Sequence, residues 1–140
     1  MAACVRYIVN DVSAAIDFYT RNLGFKLEMH PAPPFAEISR GDMHVYLTQP
    51  SQGGGGGAPM PSGEQQSPGG WNRIHLVIED LDGTIVRLKS QGCRFRSEVI
   101  QGVGGKQILL EDPSGNLIEL FEPNTSEYRA PSSGSGAASR

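Results

Sequence analysis

Apolar positions along the chain fall into two blocks that share one rhythm. The first opens with Cys4-Val5-Arg6-Tyr7-Ile8-Val9, a strand-like run, followed by Asp11. Val12, Ile16, Tyr19 and Leu23 then recur at helical spacing until Gly24. An aspartate before the first apolar residue and a glycine after the last are start and stop signals, so a capped helix is predicted between them. Three strand-like segments follow, Phe25–Met29, Phe35–Ser39 and Met43–Thr48, with Gly41-Asp42 as the tight turn between the last two.

The second block repeats the order. Arg73-Ile74-His75-Leu76-Val77-Ile78 reads as a strand, Asp80 as the cap, and Leu81, Ile85 and Leu88 as the apolar stripe of a helix stopped by Gly92. A shift of 69 positions lays Asp80 on Asp11, Leu81 on Val12 and Ile85 on Ile16. Strands are predicted at Phe95–Ile100, Lys106–Glu111 and Asn116–Glu122, with Asp112-Pro113-Ser114-Gly115 as the turn. Each block closes on a proline, Pro50 or Pro123, which here cannot continue a paired strand.

Strand, helix and three strands, twice over, predict an α+β fold of two tandem βαβββ modules. Each module lays one helix on one face of a four-stranded sheet, and the other sheet face needs a partner or lines a cleft. Together the modules predict a curved mixed sheet around a cleft with the helices outside. The expected domain spans 3–123, with modules at 3–48 and 71–123. Between them, residues 49–70 are rich in Gly, Pro, Ser and Gln, and the tail 124–140 ends in Ser-Ser-Gly-Ser-Gly-Ala-Ala-Ser-Arg. Neither segment has enough apolar surface to offset the entropy of ordering, so both are expected to be flexible. A long linker also lets modules pair between two chains, and a homodimer is the expectation.

Composition narrows the partners. The 140 residues carry a formal net charge of −3 without a basic run, which argues against nucleic acid. No stretch approaches the roughly 18 uninterrupted apolar residues of a membrane span. The first residues lack a signal peptide's pattern, and the two cysteines, Cys4 and Cys93, have no metal-binding spacing. A cytoplasmic protein with free thiols and a small-molecule ligand is the expectation.

The segments IVNDVSAAIDFYTRNLGFKL, GGWNRIHL, GGKQILLEDPSGN and EDPSGNLIELFEP resemble the vicinal oxygen chelate superfamily of glyoxalase, bleomycin-resistance and dioxygenase domain proteins. The resemblance covers the whole structured chain, and the DPSGNxIEL segment is its most specific part. Because that scaffold hosts lyases, isomerases, dioxygenases, thiol transferases and drug-sequestering proteins, it implies a fold more sharply than a function.

The resemblance also implies four metal-ligand positions, on the first and last strand of each module. They fall on Cys4, Tyr46, Arg73 and Glu119. Of these, Glu119 is a good ligand for a hard cation. Arg73 has no lone pair to donate and is always cationic, so it would repel a divalent ion and could instead pair with Glu119. No resident metal is therefore expected. The alternative is a set of His44, His75 and Glu119, with Cys4 as a possible thiolate, which would suit iron or zinc. Those histidines lie two residues from the implied positions, about 6–7 Å along a strand, which is long against bonds of about 2 Å.

Each of these residues has two readings. Glu119, between Ile118 and Leu120, which should face the other way, is a ligand contact or catalytic base, an internal partner of Arg73, or both. Arg73 suits an anionic or carbonyl-bearing ligand, or is a solvated edge charge. His44 and His75 line the groove or act as bases, and Cys4 is a small hydrophobe or a thiol activated by Arg6 or Arg73. Tyr46 and Trp71 stack on a flat ligand or pack locally. The first functional reading is a metal-free small-molecule binder, possibly for an antibiotic. The second is a divalent-metal lyase, isomerase or dioxygenase on the same scaffold.

Overall fold

A computed structural model describes residues 3–52 and 54–124; most of the predicted tail lies outside them. The first module comprises β1 (Val5–Ile8), α1 (Val12–Asn22), β2 (Lys26–Ala32), β3 (Phe35–Arg40) and β4 (Met43–Thr48). The second comprises β5 (Arg73–Val77), α2 (Leu81–Ser90), β6 (Arg94–Phe95), β7 (Ile100–Gln101), β8 (Gly105–Glu111) and β9 (Leu117–Pro123). Their sheets are distinct, ordered β1-β4-β3-β2 and β5-β9-β8-β6, with β7 also on β8. The first strand of each module runs parallel to the last, β1 on β4 and β5 on β9, and the remaining pairs are antiparallel.

The helix signals act as their chemistry demands. Asp11 accepts from the Ala14 N–H at 3.2 Å and Asp80 from the Gly83 N–H at 3.0 Å, each satisfying a first-turn donor. Past the helix ends, Gly24 and Gly92 take φ of 73° and 81°, the left-handed conformation glycine adopts at least cost. The stripes Val12, Tyr19, Leu23 and Leu81, Ile85, Leu88 are buried, with Ile16 packed beside them.

One predicted strand divides. Phe95 faces Leu110 and Ile100 faces Gln107, so residues 96–99 lie opposite residues 108–109 alone. The surplus breaks Phe95–Ile100 into β6 and β7, and the Ser97 hydroxyl accepts the Leu109 N–H at 3.1 Å in place of a ladder bond. Two register irregularities likewise bend the edge strand β2, which extends three residues past the predicted end at Met29.

Both modules contribute to one apolar core, and polar side chains cross between them. The buried Tyr7 hydroxyl donates to the Leu117 carbonyl at 2.7 Å and accepts from the Ile74 N–H at 2.9 Å. Asp112, 1% exposed, accepts from the Tyr19 hydroxyl at 2.9 Å and from Asn116 Nδ2 at 3.0 Å. It also accepts the N–H groups of Ser114 and Asn116 at 2.8 and 2.9 Å, which folds the predicted Asp112–Gly115 turn around one carboxylate. Asn116 Nδ2 donates onward to the Ile8 carbonyl at 2.8 Å.

Burial raises the Tyr7 phenol from its usual 10.0 to about 12, against the opposing hydrogen bond from Ile74. Since the folded value lies above the unfolded one, the linked stability is complete below pH 10.0 and is lost as pH rises through about 12. Tyr7→Phe leaves Leu117 O and Ile74 N–H without their buried partner and is expected to cost about 1–3 kcal/mol at neutral pH. It should also reduce the alkaline loss. Urea unfolding of both proteins at neutral and alkaline pH checks this, and equal stability would remove Tyr7 as a bridge.

Candidate functional site

Strand alternation gives each sheet one face turned to the helix and one turned away. On β3 and β4, Ala36, Ile38, Val45 and Leu47 are buried beneath α1, so Phe35, Glu37, His44 and Tyr46 occupy the open face. On β9, Ile118 and Leu120 are fully buried, which turns Glu119 and Phe121 outward beside His75 of β5. In register, Arg6 lies opposite Tyr46 and His75 opposite Glu119, so corresponding first and last strands carry the two half-sites.

The second half-site is built on a guanidinium–carboxylate pair. Arg73 Nε donates to Glu119 Oε1 at 3.0 Å, and Arg73 Nη1 donates to the Trp71 carbonyl at 3.3 Å. The Glu119 side chain is only 13% exposed, so this charge-assisted bond compensates much of its lost hydration. His75 Nε2 stands 3.9 Å from the other Glu119 oxygen, with its ring edge-on to Phe121 at 5.1 Å. Trp71 is 68% exposed, and the Arg96 guanidinium sits 5.4 Å from its ring centre. Arg96 is held in turn by Glu111 at 2.6 Å. An exposed indole is thereby backed by a fixed cation.

The first half-site differs in charge pattern. His44 Nδ1 lies 2.6 Å from Glu37 Oε2. Glu28 accepts the Ser39 hydroxyl at 2.5 Å, which with Lys26 holds its carboxyl below the usual range. The Arg6 guanidinium lies 5.4 Å from the Tyr46 ring centre, and Phe35 meets Tyr46 edge-on at 5.1 Å. A hydrogen bond with the Cys4 thiol raises the Tyr46 phenol. Cys4 itself is exposed.

Four implied ligand positions thus resolve into two separate pairings, Cys4 with Tyr46 and Arg73 with Glu119. The alternative trio of His44, His75 and Glu119 is not assembled: His44 stands on the first module's sheet, and His75 and Glu119 stand on the second's. Among the described residues no three His, Cys, Asp or Glu side chains converge to hold a metal ion. The donor set does not fit a divalent cation, since Glu119 is already bonded to a guanidinium. Glu37, Arg6 and Arg96 were not singled out as site residues by the sequence reading. Glu37 carried the usable signal: it lies between Ala36 and Ile38 as Glu119 lies between Ile118 and Leu120.

Part of the Gly-rich connection lies against the first half-site. Thr48 Oγ1 donates to the Gly55 carbonyl at 3.1 Å, and Gln66 Nε2 donates to the carbonyls of Gly56 and Ala58, both at 2.9 Å. A Cβ on Gly55 would stand 2.9 Å from that of Phe35, and one on Gly56 would collide with the Arg6 guanidinium. At Gly55 close approach, not only turn geometry, therefore favours glycine, whereas at Gly56 the flexible Arg6 side chain can give way. On the helix side, a separate cleft lined by Leu23, Arg40, Leu76, Ile78, Thr84 and Arg87 contains none of the half-site residues.

A family model described as the Glyoxalase/Bleomycin resistance protein/Dioxygenase superfamily matches residues 2–120. Lactoylglutathione lyase from Agrobacterium tumefaciens has a similar structure, at 17% identity and TM-score 0.67, covering 91% of this chain and 98% of that one. TnmS3, an antibiotic binding protein from Streptomyces sp. CB03234, is similar at 23% identity and TM-score 0.63, covering 89% and 98%. A superfamily member from Sphaerobacter thermophilus DSM 20745 is similar at 25% identity and TM-score 0.65, covering 87% and 98%. No curated protein sequence matches significantly.

Gly55→Ala is expected to destabilise the protein more than Gly63→Ala. Both positions have positive φ, 78° and 95°, but an added Cβ stands 2.9 Å from the Phe35 Cβ at Gly55 and meets nothing within 4 Å at Gly63. The shared backbone strain is about 1 kcal/mol, so the excess at Gly55 reports the contact. Chemical denaturation of the two variants reads it, and equal losses would detach the loop from Phe35.

Proposed function

The chain belongs to the glyoxalase/bleomycin resistance protein/dioxygenase superfamily, and we propose that it is a metal-free member that binds a small molecule on the open sheet faces. The carrying observation is the Arg73–Glu119 pair, 3.0 Å apart. It occupies two of the positions at which the family resemblance implies metal ligands. A ligand there meets a guanidinium suited to a carboxylate or carbonyl oxygen and a carboxylate suited to an N–H group. His75 adds a further polar contact. Trp71 and Tyr46 supply flat apolar surface, which together with a few placed polar groups makes a ligand site. An antibiotic is the ligand class favoured by the likeness to TnmS3.

We further place the complete site between two copies of the chain. The bridges through Tyr7, Tyr19 and Asp112 tie the modules together on their core side and leave both polar open faces available. A homodimer pairing the first module of one copy with the second of its partner would bring the half-sites together. None of the described helices is long and apolar enough to cross a membrane.

Trp71 is the single tryptophan of the chain, so its fluorescence reports directly on this site. Titration with bleomycin and with small aromatic carboxylates should change its emission. For any compound that does so, Arg73→Ala should weaken affinity about tenfold or more, the scale of a lost charged hydrogen bond. Unchanged affinity in both Arg73→Ala and Glu119→Gln would sink the binding reading. Elemental mass spectrometry of the purified protein tests its rival: stoichiometric metal that Glu119→Gln abolishes would restore a metalloenzyme.

A further inference from the structure

The connection between the modules makes contacts that a passive linker would not need. We propose that residues 54–58 form an autoinhibitory strap, occupying the place over Arg6 and Tyr46 that a planar anionic ligand takes, and that binding lifts them. The inference rests on the open sheet faces being the ligand-binding surface, and it names how access to one of them is regulated.

The strap sits on the residues that frame Tyr46. Arg6 lies over the Tyr46 ring, and Phe35 meets that ring edge-on. Gly55 lies against Phe35, Gly56 against the Arg6 guanidinium and Gly57 against the Gln49 carbonyl, each so closely that a Cβ would press on its neighbour. Gly54, Gly55 and Gly56 all take positive φ, 98°, 78° and 89°, which lets the chain fold down onto this face. Contact thus runs from Tyr46 to Arg6 to Gly56, and strap backbone occupies guanidinium surface that a flat ligand would use.

What holds the strap down is polar. The Gly55 carbonyl accepts the Thr48 hydroxyl and the Gly57 carbonyl accepts the Ser51 N–H, both at 3.1 Å. Gln66 Nε2 clasps the carbonyls of Gly56 and Ala58, both at 2.9 Å. None of residues 54–66 joins the apolar core. Each of these bonds exchanges for one with water at small net cost, so the strap opens far more readily than the protein unfolds. While it is closed, apparent affinity for a ligand is lowered to the fraction of molecules that are open. An anionic group offers Arg6 a charge-assisted bond that the strap's Gly56 does not, so a planar carboxylate or sulfonate displaces the strap better than a neutral ring does.

Anilinonaphthalene sulfonate, a planar anion that brightens on leaving water, is the probe. Gln66→Ala removes both clasps and should bind the dye at least about fivefold more tightly than the intact protein. Adding Tyr46→Ala to Gln66→Ala should abolish the increase. Hydrogen exchange of the Ser51 amide gives a second readout, because its acceptor, the Gly57 carbonyl, leaves with the strap. Saturating dye should speed that exchange in the intact protein, whereas a ligand resting on a passive surface would slow it or leave it unchanged. Equal affinity of the intact protein and Gln66→Ala overturns the proposal, as does an increase that survives Tyr46→Ala. Ser51 exchange that bound dye does not speed, or no dye binding by either protein, overturns it too. A ligand whose affinity depends on Arg73 but not on Gln66 counts against the strap alone. Gln66-dependent dye binding, with no ligand affected by Arg73→Ala, counts against the Arg73–Glu119 site alone.

Discussion

Tyr19, Asp112 and Asn116 form the contact on which the rest of this structure depends. A carboxylate that is 1% exposed is tolerable only when its lone pairs are taken, and four donors take those of Asp112. Two of the donors are backbone groups of its own turn, one is the neighbouring Asn116 and one comes from α1 of the other module. Removing any member strands the others in an apolar core, so the hairpin, the first helix and the docking of the modules are energetically one unit. Burial pushes the Tyr19 phenol upward, with the Asp112 charge acting in the same direction, and the hydroxyl therefore remains a donor.

That attachment also decides what is left for function. Because the modules join through helix-side residues, the polar strand faces are free of the task of holding the fold together. Each face then solves the problem of a partly buried carboxylate differently. Glu119 is met by a guanidinium, Glu37 by an imidazole, and Glu28 by a serine hydroxyl and a lysine. These local pairings give one half-site a guanidinium–carboxylate contact and the other an imidazole–carboxylate contact. They also explain why the donor set does not suit a divalent ion on a scaffold whose relatives include lyases and antibiotic-binding proteins.

Glycines in the connection contribute by what they omit. At Gly55 and Gly56 the missing Cβ lets backbone lie against Phe35 and Arg6, so a segment with little to bury still covers one end of the first open face. Its contacts are hydrogen bonds from Thr48 and Gln66, not an apolar core of its own.

The sequence by itself determined the local elements and their repetition. Helical spacing after Asp11 and Asp80, glycine stops, and alternation in Phe35–Ser39 and Asn116–Glu122 are short-range consequences of backbone geometry, and they placed both helices and most strands. The same alternation identified Glu119 as outward-facing and could have identified Glu37. Tertiary structure alone decided the partners. That Glu37 takes His44, that Arg96 backs Trp71, and that Tyr7 bridges Ile74 and Leu117 depend on register and on docking between modules, which no periodicity encodes. The divided strand at β6 and β7 is likewise a matter of register: residues 96–99 lie opposite only two partner residues, a mismatch visible only once the strands are paired.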